Sequence, residues 1–136
     1  MKILKSLSLL LLFSSIFVAC SKDNDTVSEP PPSTSGFVGK WVGKYGFDSE
    51  DPAIFFSLNI KTGGVIQELN SSGVAKGQGT YTIEGSTLKG TYKMLFSPFN
   101  EYSVSGIINA STGKLEGSWG YDKNGSDGGK MSLSKQ

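Results

Sequence analysis

Apolar and polar residues alternate along most of the chain after residue 36, with a period of two and no sustained period of 3.6. A period of two is typical of β-strands, because successive side chains of a strand point to opposite faces. Turn residues interrupt the alternation about every twelve positions, as expected for short antiparallel strands. The pattern predicts eight strands, over residues 37–47, 53–61, 64–70, 77–84, 87–96, 100–109, 113–121 and 128–135.

The connections between the predicted strands form two groups. Residues 62–63, 85–86 and 110–112 make short turns, whereas the connections near 48–52, 71–76, 97–99 and 122–127 are longer. Eight strands in sequence order, with no long crossover, favour an all-β, eight-stranded antiparallel up-and-down (meander) barrel, because closure removes exposed strand edges. Alternate connections of a meander lie at opposite ends, so all the longer ones share one end, and the tether before the first strand lies at the other.

One face of each predicted strand is apolar, except in the third strand. There the apolar face is either Val65, Gln67 and Leu69, or Ile66 and Glu68. The five tyrosines and two tryptophans all fall on the predicted inner faces. The interior of an eight-stranded barrel is filled by side chains or holds one small ligand.

Two interpretations of this aromatic interior remain open. In the first, a pocket between the longer connections presents phenol hydroxyls and rings to a ligand. Its candidate binding residues are Tyr45, Tyr92, Tyr102, Trp119 and Tyr121, with Phe96 at the lip. In the second, the core is solid, and the buried hydroxyls bond to the backbone, to Gln67 or to water, because an unpaired buried hydroxyl is unfavourable.

The N-terminus carries a different pattern. Lys2 and Lys5 precede an apolar run over 7–19, which ends before Cys20, the single cysteine of the chain. Such a run is too short to span a bilayer and is typical of a secretory signal. With the cysteine in this position, residues 1–19 resemble the signal peptide of bacterial lipoproteins. The resemblance implies cleavage before Cys20, acyl chains on Cys20 and a durable membrane anchor.

Residues 20–36 combine the cysteine with a linker that contains three consecutive prolines and no aromatic residue. Such a composition predicts a disordered tether. Residues 21–25 resemble the export signals of surface lipoproteins in the phylum Bacteroidetes, and 25–27 resemble the O-glycosylation pattern of that group, with Thr26 as the acceptor. The resemblance implies an outer-membrane lipoprotein at the cell surface. The alternative is a solvated linker that nothing recognises.

The first strand of the 37–136 domain contains Gly39-Lys40-Trp41. This G-x-W sequence at the start of a meander resembles the opening of lipocalins, and avidin-like barrels open in a similar way. The resemblance implies a lipocalin-like barrel. It also implies an arginine late in the barrel that packs on the tryptophan, and the chain contains no arginine.

Several functions are disfavoured by composition. The predicted domain has no histidine, arginine or cysteine, which leaves few groups for catalysis, and we predict that the protein is not an enzyme and uses no cofactor. Residues 122–127 imitate a calcium loop, but Asp127 occupies the position that requires glycine, so no metal site is predicted. Loss of residues 1–19 would lower the net charge from +1 to about −1 without leaving a basic stripe, which disfavours nucleic acid.

The sequence therefore predicts a membrane-anchored envelope lipoprotein whose barrel binds a small, partly apolar ligand at an outward-facing mouth. The alternative is a barrel with a filled core that acts as a protein-interaction or inhibitor module through its long loops, with an envelope protein as the partner.

Overall fold

The computed structural model describes residues 36–123 and 125–136. The predicted signal peptide, Cys20 and the tether with Thr26 lie outside the described residues. The strands are β1 (Gly39–Tyr45), β2 (Ile54–Lys61), β3 (Val65–Leu69), β4 (Ala75–Glu84), β5 (Thr87–Met94), β6 (Glu101–Ile108), β7 (Lys114–Tyr121) and β8 (Gly129–Lys135). Each strand begins and ends within two residues of its predicted bounds.

The eight strands form a closed antiparallel meander barrel. Each strand pairs with its neighbours in sequence, and β1 pairs with β8 to close the ring. The predicted all-β barrel is therefore confirmed. Within the described ranges, no helix has the length and apolar character needed to cross a membrane.

The end of the barrel with the short connections, here called the closed end, is packed with apolar side chains. Trp41, Leu58, Ile66 and Leu88 are buried there. The Trp41 indole Nε1 donates a hydrogen bond of 2.7 Å to the carbonyl oxygen of Phe37. Phe37 was predicted to begin the first strand, but it precedes β1, and its side chain packs into the core.

A cation does lie on Trp41, although the chain has no arginine. The ammonium of Lys135, at the end of β8, is 5.6 Å from the centroid of the Trp41 ring. The same ammonium donates a hydrogen bond of 3.1 Å to the carbonyl oxygen of Gly36. Lys135 thus links the C-terminal strand to the segment that leads into β1. A cation–π contact of this kind contributes about 0.5–1 kcal/mol to stability at an exposed site.

The structure resolves the third strand in favour of Ile66 and Glu68, which are buried. Gln67 is on the outer face, where its Nε2 donates to Gln78 Oε1 at 2.7 Å. Asn59 Nδ2 donates to Gln67 Oε1 at 3.4 Å. The proposed pairing of interior hydroxyls with Gln67 is therefore wrong, because its amide serves a row of polar side chains on the outer wall.

A shift in strand register changes the direction of Lys76. Glu68 pairs with Gly77, but the next residue of β3, Leu69, pairs with Ala75, so Lys76 is an extra residue between the two pairs. Such a β-bulge re-aims a side chain relative to the simple alternation. Strict alternation from Tyr81 would place Lys76 on the outer wall, whereas its ammonium contacts the buried Glu68.

Candidate functional site

A cavity of about 170 Å³ lies at the end of the barrel that carries the longer connections, here called the open end. Each of the strands β1 to β7 contributes at least one side chain to its lining, and β8 contributes none. The lining residues are Tyr45, Phe47, Phe56, Glu68, Lys76, Tyr92, Met94, Tyr102, Trp119 and Tyr121. The cavity opens to solvent at a rim where Phe47 is 41% exposed and Tyr121 is 46% exposed.

The structure brings together the predicted candidate residues Tyr45, Tyr92, Tyr102, Trp119 and Tyr121 around this cavity. Phe96, the sixth candidate, does not line it. Phe96 follows the end of β5 and is 64% exposed, so alternation within the strand no longer governs its direction. Phe96 belongs to the exposed part of the β5–β6 connection at the open end, and its contact with a ligand stays a prediction.

The aromatic residues of the open end form one contacting group centred on Trp119. The Trp119 ring lies 5.1 Å from the Tyr45 ring, 5.5 Å from Phe47 and 5.3 Å from Tyr121, in edge-to-face arrangements. Its indole Nε1 donates a hydrogen bond of 2.8 Å to the carbonyl oxygen of Gly46. Edge-to-face pairs add about 0.5–1.5 kcal/mol each beyond area burial, so these rings hold one another in place.

One ion pair lies among these rings. Lys76 Nζ is 2.7 Å from Glu68 Oε1, and the Glu68 side chain is 8% exposed. The buried Tyr92 lies close enough to Glu68 for the carboxylate to act on its phenol through charge and hydrogen bonding. The sequence left open whether Glu68 lies on the inner face of the third strand. Lys76 was not predicted as a site residue, because neither a two-residue period nor composition reveals a bulge.

The environment of the tyrosines changes their ionisation. Burial, and then the charge and hydrogen bonding of Glu68, raise the pKa of Tyr92 well above its ordinary value of 10.0. Burial also raises the pKa of Tyr45, where the nearby Lys76 ammonium acts in the opposite direction. The phenols of Tyr45 and Tyr92 therefore remain neutral at neutral pH and can donate hydrogen bonds.

We expect the Tyr92 phenol to make folding stability fall in alkaline solution. Because the folded-state pKa of Tyr92 is raised, its contribution is complete below the unfolded-state pKa near 10 and is lost as the pH rises toward the folded-state value. Urea unfolding at pH 8, 10 and 11 measures the free energy of unfolding. This free energy should fall more steeply with pH for the unmodified protein than for Tyr92→Phe, by up to about 1.4 kcal/mol per pH unit. Equal slopes for the two proteins would contradict this assignment.

A second concave region lies on the outer wall of β4, β5 and β6. This groove of about 370 Å³ is bordered by Thr80, Thr82, Lys89, Thr91, Ser103, Ser105 and Lys123, among others. The β7–β8 connection folds against the wall beside it, since the Gly125 N–H donates to Ser103 Oγ at 2.6 Å and Ser118 Oγ donates to the Gly125 carbonyl at 2.5 Å. Thr80, Thr82, Lys89 and Lys123 are exposed to solvent, and the buried Ser103 is already bonded to Gly125, so the groove offers no enclosed polar group to a ligand.

In residues 36–123 and 125–136, no group of three or more histidine, cysteine, aspartate or glutamate side chains is placed to hold a metal ion. The fold and the site define the protein as a closed eight-stranded meander barrel with one packed end and one open, aromatic end. Comparison of the chain with protein-family models, curated proteins and solved structures finds no match.

Proposed function

We propose that this protein is a membrane-anchored envelope lipoprotein whose barrel binds a small, partly apolar ligand in the cavity at its open end. The observation that supports ligand binding most strongly is the lining of that cavity, in which one ion pair is set among aromatic rings and phenol hydroxyls. Binding sites for small molecules are commonly concave and mostly apolar, with a few polar groups that fix the ligand's orientation.

The two tryptophans provide a direct test of binding. Trp119 lines the cavity, whereas Trp41 is 1% exposed at the opposite, closed end. In a Trp41→Phe variant, cyclohexanol, phenylacetamide or 1-octanol should change the remaining fluorescence saturably. In the matched Trp119→Phe variant, the remaining Trp41 should not respond. A response from Trp41 alone, or no saturable response to any of the three compounds, would count against the cavity as the binding site.

The proposed anchor depends on Cys20 and on the resemblance of residues 1–19 to a lipoprotein signal. The first strand begins at the closed end, so a tether over 20–36 places the open end away from the membrane. A Cys20→Ser variant expressed in a bacterium that acylates lipoproteins should move from the membrane to the soluble fraction, because acyl chains can no longer be attached. Retention of the variant in the membrane fraction would refute the acyl anchor, and Ser21→Ala serves as the control.

A second function, docking of an envelope protein, is favoured by the exposed apolar residues around the open end. Phe47, Ile54, Val74, Leu95, Phe96 and Phe99 are each at least 41% exposed there. Exposed apolar patches often mark contact surfaces. Phe96→Ala and Phe99→Ala separate the two functions, since they should weaken capture of a protein partner and leave the Trp119 titration unchanged.

A further inference from the structure

The ammonium of Lys76 is the accessible charge inside the cavity. The Lys76 side chain is 37% exposed, whereas that of its partner Glu68 is 8% exposed. The remaining lining groups are aromatic rings, phenol hydroxyls and the thioether of Met94. A ligand that enters from the rim therefore meets a positive charge before it meets the carboxylate.

Two features hold this ammonium in the cavity. A lysine side chain on a strand normally extends its charged group into water, but the bulge after Glu68 turns Lys76 away from the outer wall. The buried Glu68 then retains the ammonium, because a buried carboxylate without a partner is strongly unfavourable.

The Lys76 ammonium also has unused hydrogen-bonding capacity. An ammonium group has three N–H donors, and within the described part of the chain Glu68 is the group that accepts from it. Tyr45 lies near enough for the Lys76 charge to influence its ionisation. Donors of this kind suit an anionic group, because charge-assisted hydrogen bonds are stronger than hydrogen bonds between neutral groups.

We propose that the cavity binds a small carboxylate with a single ring, whose carboxylate group contacts the Lys76 ammonium while its ring packs beside Tyr102 and Trp119. This inference rests on the ligand-binding function proposed above and specifies the ligand class. The volume is suitable, since a protein cavity of about 150 Å³ is known to hold benzene, and the present cavity of about 170 Å³ is open at the rim.

A cationic ligand is the less favourable alternative. Aromatic faces attract cations, but the Lys76 ammonium already stands in front of the carboxylate and would repel a second cation. The carboxylates of Asp48, Glu50 and Asp51 in the β1–β2 connection are exposed. Salt at about 0.15 M screens such exposed charges, so their influence on a bound ligand falls off over roughly 8 Å.

The test compares three compounds of similar size at 0.15 M salt: phenylacetate, phenylacetamide and 2-phenylethylamine. Binding is measured by isothermal titration calorimetry on the purified protein. Phenylacetate should bind at least tenfold more tightly than phenylacetamide, and 2-phenylethylamine should bind most weakly. Lys76→Met should abolish the preference for the acid. The matched control, Lys93→Met, removes the same charge from the exposed outer face of β5 and should preserve the preference.

The possible outcomes separate this inference from the proposed function. Equal binding of the acid and the amide, or a preference for the amine, overturns the assignment of an anionic ligand and leaves ligand binding intact. A preference for the acid that persists in Lys76→Met overturns the role of Lys76. If none of the three compounds binds, the inference and the ligand-binding function both fail. The comparison on the unmodified protein is decisive even if Lys76→Met does not fold.

Discussion

Trp41→Ala should lower the free energy of unfolding by about 3–5 kcal/mol, the usual loss for a large aromatic residue removed from a core. Trp41 is 1% exposed, and its loss removes the hydrogen bond to the Phe37 carbonyl and the ring beneath the Lys135 ammonium. Small domains are stable by about 5–15 kcal/mol, so the variant should lie close to the limit of folding. Urea unfolding followed by circular dichroism measures the change.

Trp41→Phe is the matched control for this substitution. It retains an aromatic ring in the core and removes the indole N–H, so the loss should be markedly smaller. A loss below about 1 kcal/mol for Trp41→Ala would mean that the closed end is not packed, because the large-to-small substitutions of buried aromatic residues exceed that value. The distinction between a packed end and an open end would then fail.

The second large effect is expected for Gly79→Ala. Gly79 is on the inner face of β4 opposite Tyr92 of β5. A Cβ atom at residue 79 would overlap the carbonyl oxygen of Thr91 and approach the Cα of Tyr92. These are backbone atoms, so the strands must separate to admit a methyl group. We expect the free energy of unfolding to fall by about 2–3 kcal/mol, in the upper part of the range for overpacked cores.

Gly90→Ala is the control, because Gly90 also lies on an inner face two residues before a tyrosine, but meets different neighbours. A Cβ at residue 90 would lie 3.1 Å from Ile66 Cδ1 and 3.3 Å from Val104 Cγ2. Both are side-chain methyl groups and not backbone atoms, so a shift of a few tenths of an ångström admits the new methyl group. The reduced entropy of the unfolded chain also favours alanine by about 0.4–1 kcal/mol. The loss should stay below about 1 kcal/mol, and equal losses for the two variants would contradict the close approach of β4 and β5.

The barrel itself was predictable because its strands obey the two-residue period almost throughout. Inner-face residues such as Trp41, Tyr92 and Trp119 could be identified from alternation, and the lengths of the connections indicated which end would be open. These features depend on local sequence and on the fixed geometry of a meander. The cavity therefore lies at the end where the sequence places it.

The polar part of the site was less predictable. β3 has five residues, too few for alternation to decide between its two faces, so Glu68 remained an open alternative. Lys76 owes its direction to a register shift that depends on the pairing of two strands, which no local pattern records. The strands predicted over 37–47 and 87–96 were too long for a related reason, since Phe37 and Phe96 lie just outside a strand and alternation does not extend to them.

We propose that the barrel binds its ligand at one site, between the aromatic rings of its open end. Two-dimensional ¹H–¹⁵N NMR spectra recorded during titration with phenylacetamide test it most directly, because each backbone amide and each indole N–H reports its own surroundings. We expect saturable shifts at Tyr45, Tyr92 and the Trp119 indole, and unchanged signals for the Trp41 indole and Leu88. Saturable shifts confined to the outer wall near Thr80 and Ser105, or to the closed end, would contradict it.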